Sequence, residues 1–159
     1  MDERTRELDE WRCMVGTAIL SFGDIEFITL KCLAHIPSDT IVKVASHLPF
    51  SRRVDLIVEI LEGRSSQSQS VMTLIAKLKR AKALSEYRNV IAHNPLLLDL
   101  YINQATGDMK AERAITAARS DGKSIDLPGL TELATEAESL ASELYLVLGK
   151  IVEELGEAK

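Results

Sequence analysis

The chain has 159 residues, 46% hydrophobic and 27% charged, which suits one globular domain with a sizeable core and argues against disorder. A formal charge of -5 and a pI near 5.3 exclude general coating of nucleic acid or of an anionic membrane, so any nucleic-acid role needs a local cationic site. No run approaches the roughly 18 uncharged apolar residues of a membrane span, and the opening MDERTRELDE is too acidic for a signal peptide, which points to a cytosolic protein.

From about Asp2 to Ile36 there is no proline, and apolar residues recur at Trp11, Val15, Ala18, Phe22 and Ile25, with Met14, Ile19, Ile28 and Leu33 widening the face. This predicts one long helix, covered on more than one side and central to the fold or to a dimer. Gly16 and Gly23, on nearly one face, each cost about 1 kcal/mol against alanine in a helix interior, which suggests a close helix crossing. Cys13 and Cys32 are too far apart on this helix to bridge and read as buried thiols.

Pro37 and Ser38 open a short helix to about His47. Ser51 is the expected cap of a third from Arg52 to Leu61, stopped by Gly63. The polar stretch RSSQSQS reads as a loop, and a periodic helix follows from Val71 to His93, closed by Asn94 and Pro95.

At LLLDLYI the period changes to two, with Leu96, Leu98, Leu100 and Ile102 on one face, so a strand begins. Turn signals at Thr106-Gly107-Asp108 and Asp121-Gly122 bracket a weaker strand around Ile115 and predict a small antiparallel meander over 96–126. A last helix from about Pro128 to Leu155 carries Leu133, Ala137, Leu140, Leu144, Val147, Ile151 and Leu155 as its stripe. The expectation is a single all-α domain, 1–159, a helical bundle with long first, fourth and last helices and one β-meander insertion.

One segment breaks the pattern. In YRNVIAHNP, Arg88 falls on the apolar stripe of Leu74, Leu78, Ala81, Ser85 and Ala92. A buried unpaired charge costs several kcal/mol, so Arg88 must meet a carboxylate, a phosphate or a solvent-filled groove. Glu26, with Phe22, Ile19, Leu30 and Leu33 as helical neighbours, is the other charge on an apolar face and the expected partner, within or across subunits. Asn89 and His93 are four apart and share a face, with Arg88 about 100° from Asn89. A two-fold axis near this helix end would collect both copies into one polar cleft.

An arginine, a polar residue next to it and a histidine five positions after the arginine, at the end of a helix in a helical chain, resemble the R-x4-6-H motif of the HEPN superfamily. The likeness rests on Arg88, Asn89 and His93 and extends to the long helices on either side, while the meander is an elaboration outside it. What the resemblance implies is a metal-independent endoribonuclease, without cofactor, whose composite site forms in a homodimer, often in toxin-antitoxin, phage-defence or stress systems. In that chemistry the ribose 2′-OH attacks the adjacent phosphate, His93 acts as general acid or base, and Arg88 holds the charge developing on phosphate. Asn89 would orient His93 or the phosphate, with Glu26 and Tyr87 in support. RNA would be the substrate, and an antitoxin or another protein a possible partner, with no membrane.

Lys77, Lys79, Arg80 and Lys82, upstream on the same helix, could track an RNA backbone, although a basic run is usually a solvated face. The competing reading is a non-catalytic HEPN-like homodimer that binds nucleotide, RNA or a partner protein. In it Arg88 pairs with Glu26, and His93 covers the last helical carbonyls. Cys32-x2-His35 has metal-ligand spacing, but its apolar surroundings favour a buried thiol and an interface histidine. His47 reads as a helix cap. No metal site, Gly-rich phosphate loop or nucleophile elbow is found.

Overall fold

The long unbroken helical pattern at each end of the chain builds the frame. In the computed structural model, which describes residues 3–36, 43, 45–64, 68–103, 105–117 and 123–157, the first helix α1 runs Glu3–His35. Helix α2 follows at Phe50–Glu62, α3 at Gln69–His93 and α4 at Leu127–Glu157, so the described fold is mostly helical. The short helix expected from Ser38 to His47 falls largely outside the described residues, as does the turn at Asp121-Gly122.

Three short strands sit between α3 and α4: β1 Leu96–Ile102, β2 Met109–Thr116 and β3 Ser124–Ile125, in the antiparallel order β1-β2-β3. The β1–β2 register runs from Leu96 opposite Ile115 to Ile102 opposite Met109. Asn103 turns the hairpin. Its Oδ1 accepts the Ala105 N–H at 2.9 Å, its carbonyl accepts the Gly107 N–H at 2.7 Å, and Gly107 takes a φ of 75°, which glycine adopts without a Cβ clash.

Helix ends follow local chemistry, with one correction. The expected cap Ser51 lies inside α2, which begins at Phe50 with Pro49 in the cap position; no side chain caps it, because proline has no side-chain acceptor for the first helical N–H groups. At α3, Ser68 accepts the Val71 N–H at 3.3 Å and donates to Glu154 at 2.7 Å, tying the cap to α4. Ser68→Ala is expected to cost about 1 kcal/mol in urea unfolding, since both roles vanish together.

Packing is organised around α1, which lies mainly along α4, while α4 also packs on α3 and α3 on α2. Ion pairs give the directions. Arg80 to Glu136 and Lys77 to Glu143 make α3 and α4 antiparallel, and Lys82 to Asp55 and Lys79 to Glu62 do the same for α3 and α2. One hydrophobic cluster joins Phe22, Ile25 and Leu33 of α1 to Ile57, Leu61, Leu74, Leu78, Leu130 and Leu144.

Two apolar faces stay outside that cluster. Leu98, Leu100 and Ile102 of β1 and Met109 of β2 are exposed, because only the base of the hairpin, Ile115 with Ile125 and part of Leu96, packs on the helical core, while Arg113 reaches α1 by its ion pair with Glu7. The outer side of α1 is also open, with Leu20 and Phe27 exposed. By length and composition α1 could cross a membrane, with a mean hydropathy of 1.5 in its most apolar stretch. In the fold, that hydropathy is divided between the core face and this open one.

The open face corrects one expectation. Cys13 is exposed on it, whereas Cys32 is buried and burial pushes its thiol up to about 12. Alkylation of the native protein at pH 8 is therefore expected to spare Cys32, with mass spectrometry detecting its modification only after denaturation.

Candidate functional site

The stripe that carries Arg88 leaves the core at Arg88 itself. Leu74, Leu78, Ala81 and Ser85 are buried, Arg88 is half-buried and Ala92 is exposed. Beyond Ser85 the buried positions move to Val90 and Ile91, because the sheet covers that side of the helix end. Arg88 is thus a boundary residue, with its stem against the core and its head reaching toward α1.

That head meets the expected partner inside the same chain. Arg88 donates through Nη2 to Glu26 Oε1, and its guanidinium lies 5.9 Å from the centroid of the Phe22 ring. Sequence reasoning missed a third member. Arg53 of α2 approaches the other Glu26 oxygen, Oε2, at 3.9 Å and donates weakly to the Ser46 carbonyl at 3.5 Å. Its signal was available: Arg53 interrupts the stripe Phe50, Val54, Ile57, Val58 and Leu61 as Arg88 interrupts its own.

The cluster is graded by depth. The Arg53 side chain is 7% exposed, Arg88 23% and Glu26 36%, so the deepest charge is a cation with its closest counter-charge nearer to solvent. Burial pulls the Arg53 guanidinium below its ordinary value, and Glu26 pulls it back up. Two guanidinium groups share one carboxylate, which leaves one formal positive charge in the cluster. The Nε atoms of both arginines are buried without a partner among the described residues.

Asn89 and His93 face solvent, and no hydrogen bond joins either to Arg88 among the described residues. Helix geometry is the reason: five residues turn about 140°, so Arg88 points into the bundle while His93 points out of it. Tyr87, half exposed, lines a cavity of about 300 Å³ shared with Arg80, Asp126, Glu132 and Glu136, whose three carboxylates against one cation repel phosphate.

The upstream cations are already engaged. Lys77 pairs with Glu143, Lys79 with Glu62 at 2.8 Å, Arg80 with both Glu136 oxygens at 2.5 and 2.7 Å, and Lys82 with Asp55 at 2.5 Å. The hydrogen bond from Lys77 holds the Glu143 carboxyl below its ordinary value, and the one to Glu136 raises Arg80. These side chains brace α3 against its two neighbours and do not form a free cationic track.

Cys32 and His35 do not converge on a metal: the thiol is buried and the imidazole exposed. No cluster of His, Cys, Asp and Glu able to hold an ion occurs among the described residues. His47 is exposed in the turn before Pro49. Comparison with family models, with curated proteins and with solved structures finds no match.

Proposed function

We propose that the chain is a HEPN-like module that cuts RNA without a metal, as a cytosolic homodimer in which the α3 ends of two copies share one cleft. The observation that carries this reading is the arginine cluster: Glu26 orients Arg88 at a helix end, Arg53 leaves the group one positive charge, and Asn89 and His93 stand exposed on the adjoining face. A retained cation at the helix end that also carries an exposed imidazole suits phosphate chemistry once a second copy completes the cleft.

In the reaction, the 2′-oxygen bonds to phosphorus as a histidine accepts its proton, and the bond to the 5′-oxygen breaks as a second histidine returns one. Each copy supplies His93, so a dimer provides both base and acid. Arg88 holds the charge developing on phosphate, and Asn89 orients the imidazole or the phosphate. The products are a 2′,3′-cyclic phosphate and a 5′-hydroxyl, and DNA is not cut because it lacks the nucleophile. A toxin, defence or stress role, with an antitoxin as partner, belongs to the same reading.

A second reading is favoured by one specific observation, the neutralisation of Lys77, Lys79, Arg80 and Lys82 inside the chain. It makes the chain a non-catalytic homodimeric module, with the arginine cluster as an internal clamp. The test is a gel assay on mixed cellular RNA in EDTA with analysis of the product ends. Cleavage that leaves cyclic phosphate and disappears in Arg88→Ala and His93→Ala supports the nuclease. Intact RNA at every protein concentration assigns the binding module.

A further inference from the structure

The open face of α1 is patterned. Cys13, Gly16, Leu20, Gly23, Phe27, Leu30 and Ala34 alternate three- and four-residue steps, the a/d spacing of a helix seam, and no charge interrupts them. The core of this chain uses a different stripe, with Trp11, Ala18, Phe22, Ile25, Cys32 and Leu33 buried. Leu20 is 72% exposed and Phe27 53%; Tyr145 and Leu146 of α4, at 69% and 67%, form the far wall of an 800 Å³ groove beside them. Four large apolar side chains around one groove exceed scattered surface hydrophobicity.

Among the described residues, Gly16 and Gly23 pack against nothing within one chain. A Cβ on Gly16 or Gly23 would meet nothing within 4 Å, although each glycine costs the helix about 1 kcal/mol against alanine. Close crossing, which would justify them, does not occur at either glycine among the described residues.

We infer that this face docks a second copy of the same chain, α1 against α1, antiparallel about a two-fold axis. Side-chain size selects that direction. Antiparallel seams pair a with d positions, which sets Leu20 against the partner's Gly23, Phe27 against the partner's Gly16, and Cys13 against the partner's Leu30. In these layers a bulky side chain meets a small one, as close packing requires. A parallel pair would stack Leu20 on Leu20 and Phe27 on Phe27 and leave gaps between facing glycines.

Charge agrees with size. The flanking positions bring Lys31, which lies 5.0 Å over its own Phe27 ring, beside the partner's Glu10, and Asp24 beside the partner's Thr17, so no like charges meet along the seam, while Asp24 and Glu138 line the groove next to it. The seam shared by both copies, from Cys13 to Leu30, is about 26 Å long, and with the groove wall about 20 Å wide, giving about 500 Å² per copy. The total of about 1,000 Å² is what a specific interface of good complementarity needs. Glu26 flanks the seam, so both Glu26–Arg88 pairs fall on the same side of the helix pair, about 14 Å apart along it. The docking itself stands whether or not RNA is cut.

The test combines sedimentation with cross-linking on the full chain. Wild type is expected to sediment as a dimer, and Gly16→Leu with Gly23→Leu to weaken it at least roughly a hundredfold by overpacking the seam. Helical circular dichroism should persist, because the monomer has open space at both positions. Leu30→Cys should form an oxidised dimer with Cys13 that disappears when Cys13→Ser is added. One straight helix holds these two positions about 25 Å apart, which excludes an internal bridge. A monomeric wild type overturns the inference. So does a dimer indifferent to the glycine changes and unlinked by Leu30→Cys, or a monomer whose binding to phosphatidylcholine vesicles is lost with those changes.

Discussion

His93→Ala is expected to lower RNA cleavage by about 10²- to 10⁴-fold, the usual contribution of a positioned acid or base, with thermal stability and oligomeric state unchanged. The second half of that expectation is what makes the first decisive. His93 is exposed and holds no hydrogen bond among the described residues, so its removal deletes no packing and strands no buried group. A surface substitution of this kind shifts stability by about 0.5 kcal/mol or less.

Arg88→Ala should abolish cleavage as well, but at a structural cost, since it also releases Glu26 from one partner. Arg88→Lys should not restore it, because a point charge cannot hold Glu26 and a phosphate in the planar geometry of guanidinium. Single-turnover assays of the three variants beside their unfolding curves separate chemistry from folding. Full activity in His93→Ala would remove the nuclease reading outright.

The second large effect is on stability. Glu26→Ala is expected to cost about 3 kcal/mol in urea unfolding at pH 7, at the low end for a broken buried pair because the carboxylate is partly exposed. It leaves two guanidinium groups facing each other without their shared anion, and Arg53 is too deep to rehydrate. Arg88→Ala is expected to cost less, about 1 to 2 kcal/mol, because Arg53 still faces Glu26. The order of the two losses is the diagnostic. Equal losses would mean that Arg53 contributes nothing and that Glu26 and Arg88 form a simple pair.

The double variant Glu26→Ala with Arg88→Ala adds an independent measure. If the pair is coupled, its loss falls below the sum of the single losses by roughly 1 to 2 kcal/mol. Arg53 would still be left buried without a counter-charge, so the double variant should remain less stable than Arg88→Ala by itself.

Much of the helical frame was legible because long amphipathic segments impose their own period. Breaks at Pro95 and Gly63 lie where helix stops are chemically forced, and the strand at LLLDLYI shows its change of period in seven residues. Arg88 and Glu26 stood out for a related reason: a lone charge on an apolar stripe demands a counter-charge, and the chain offers few. Arg53 carried the same mark on a shorter helix and was overlooked because SRRVDL begins as an ordinary polar helix start. Exposure was far less legible. Hydropathy does not say which apolar face is covered, so Cys13 looked as buried as Cys32.

By itself the sequence determined where the long helices and the first strand run, that Arg88 needs an anion, and that Asn89 and His93 share a face, since periodicity and charge burial act over a few residues. Only the tertiary structure decided that Glu26 serves two arginines from two other helices, and that the α3 cations are spent on neighbouring carboxylates. It also decided that one side of α1 stays open. These outcomes depend on which surfaces meet across helices distant in the chain. Local pattern energies are indifferent to that choice, and close packing of one whole core decides it.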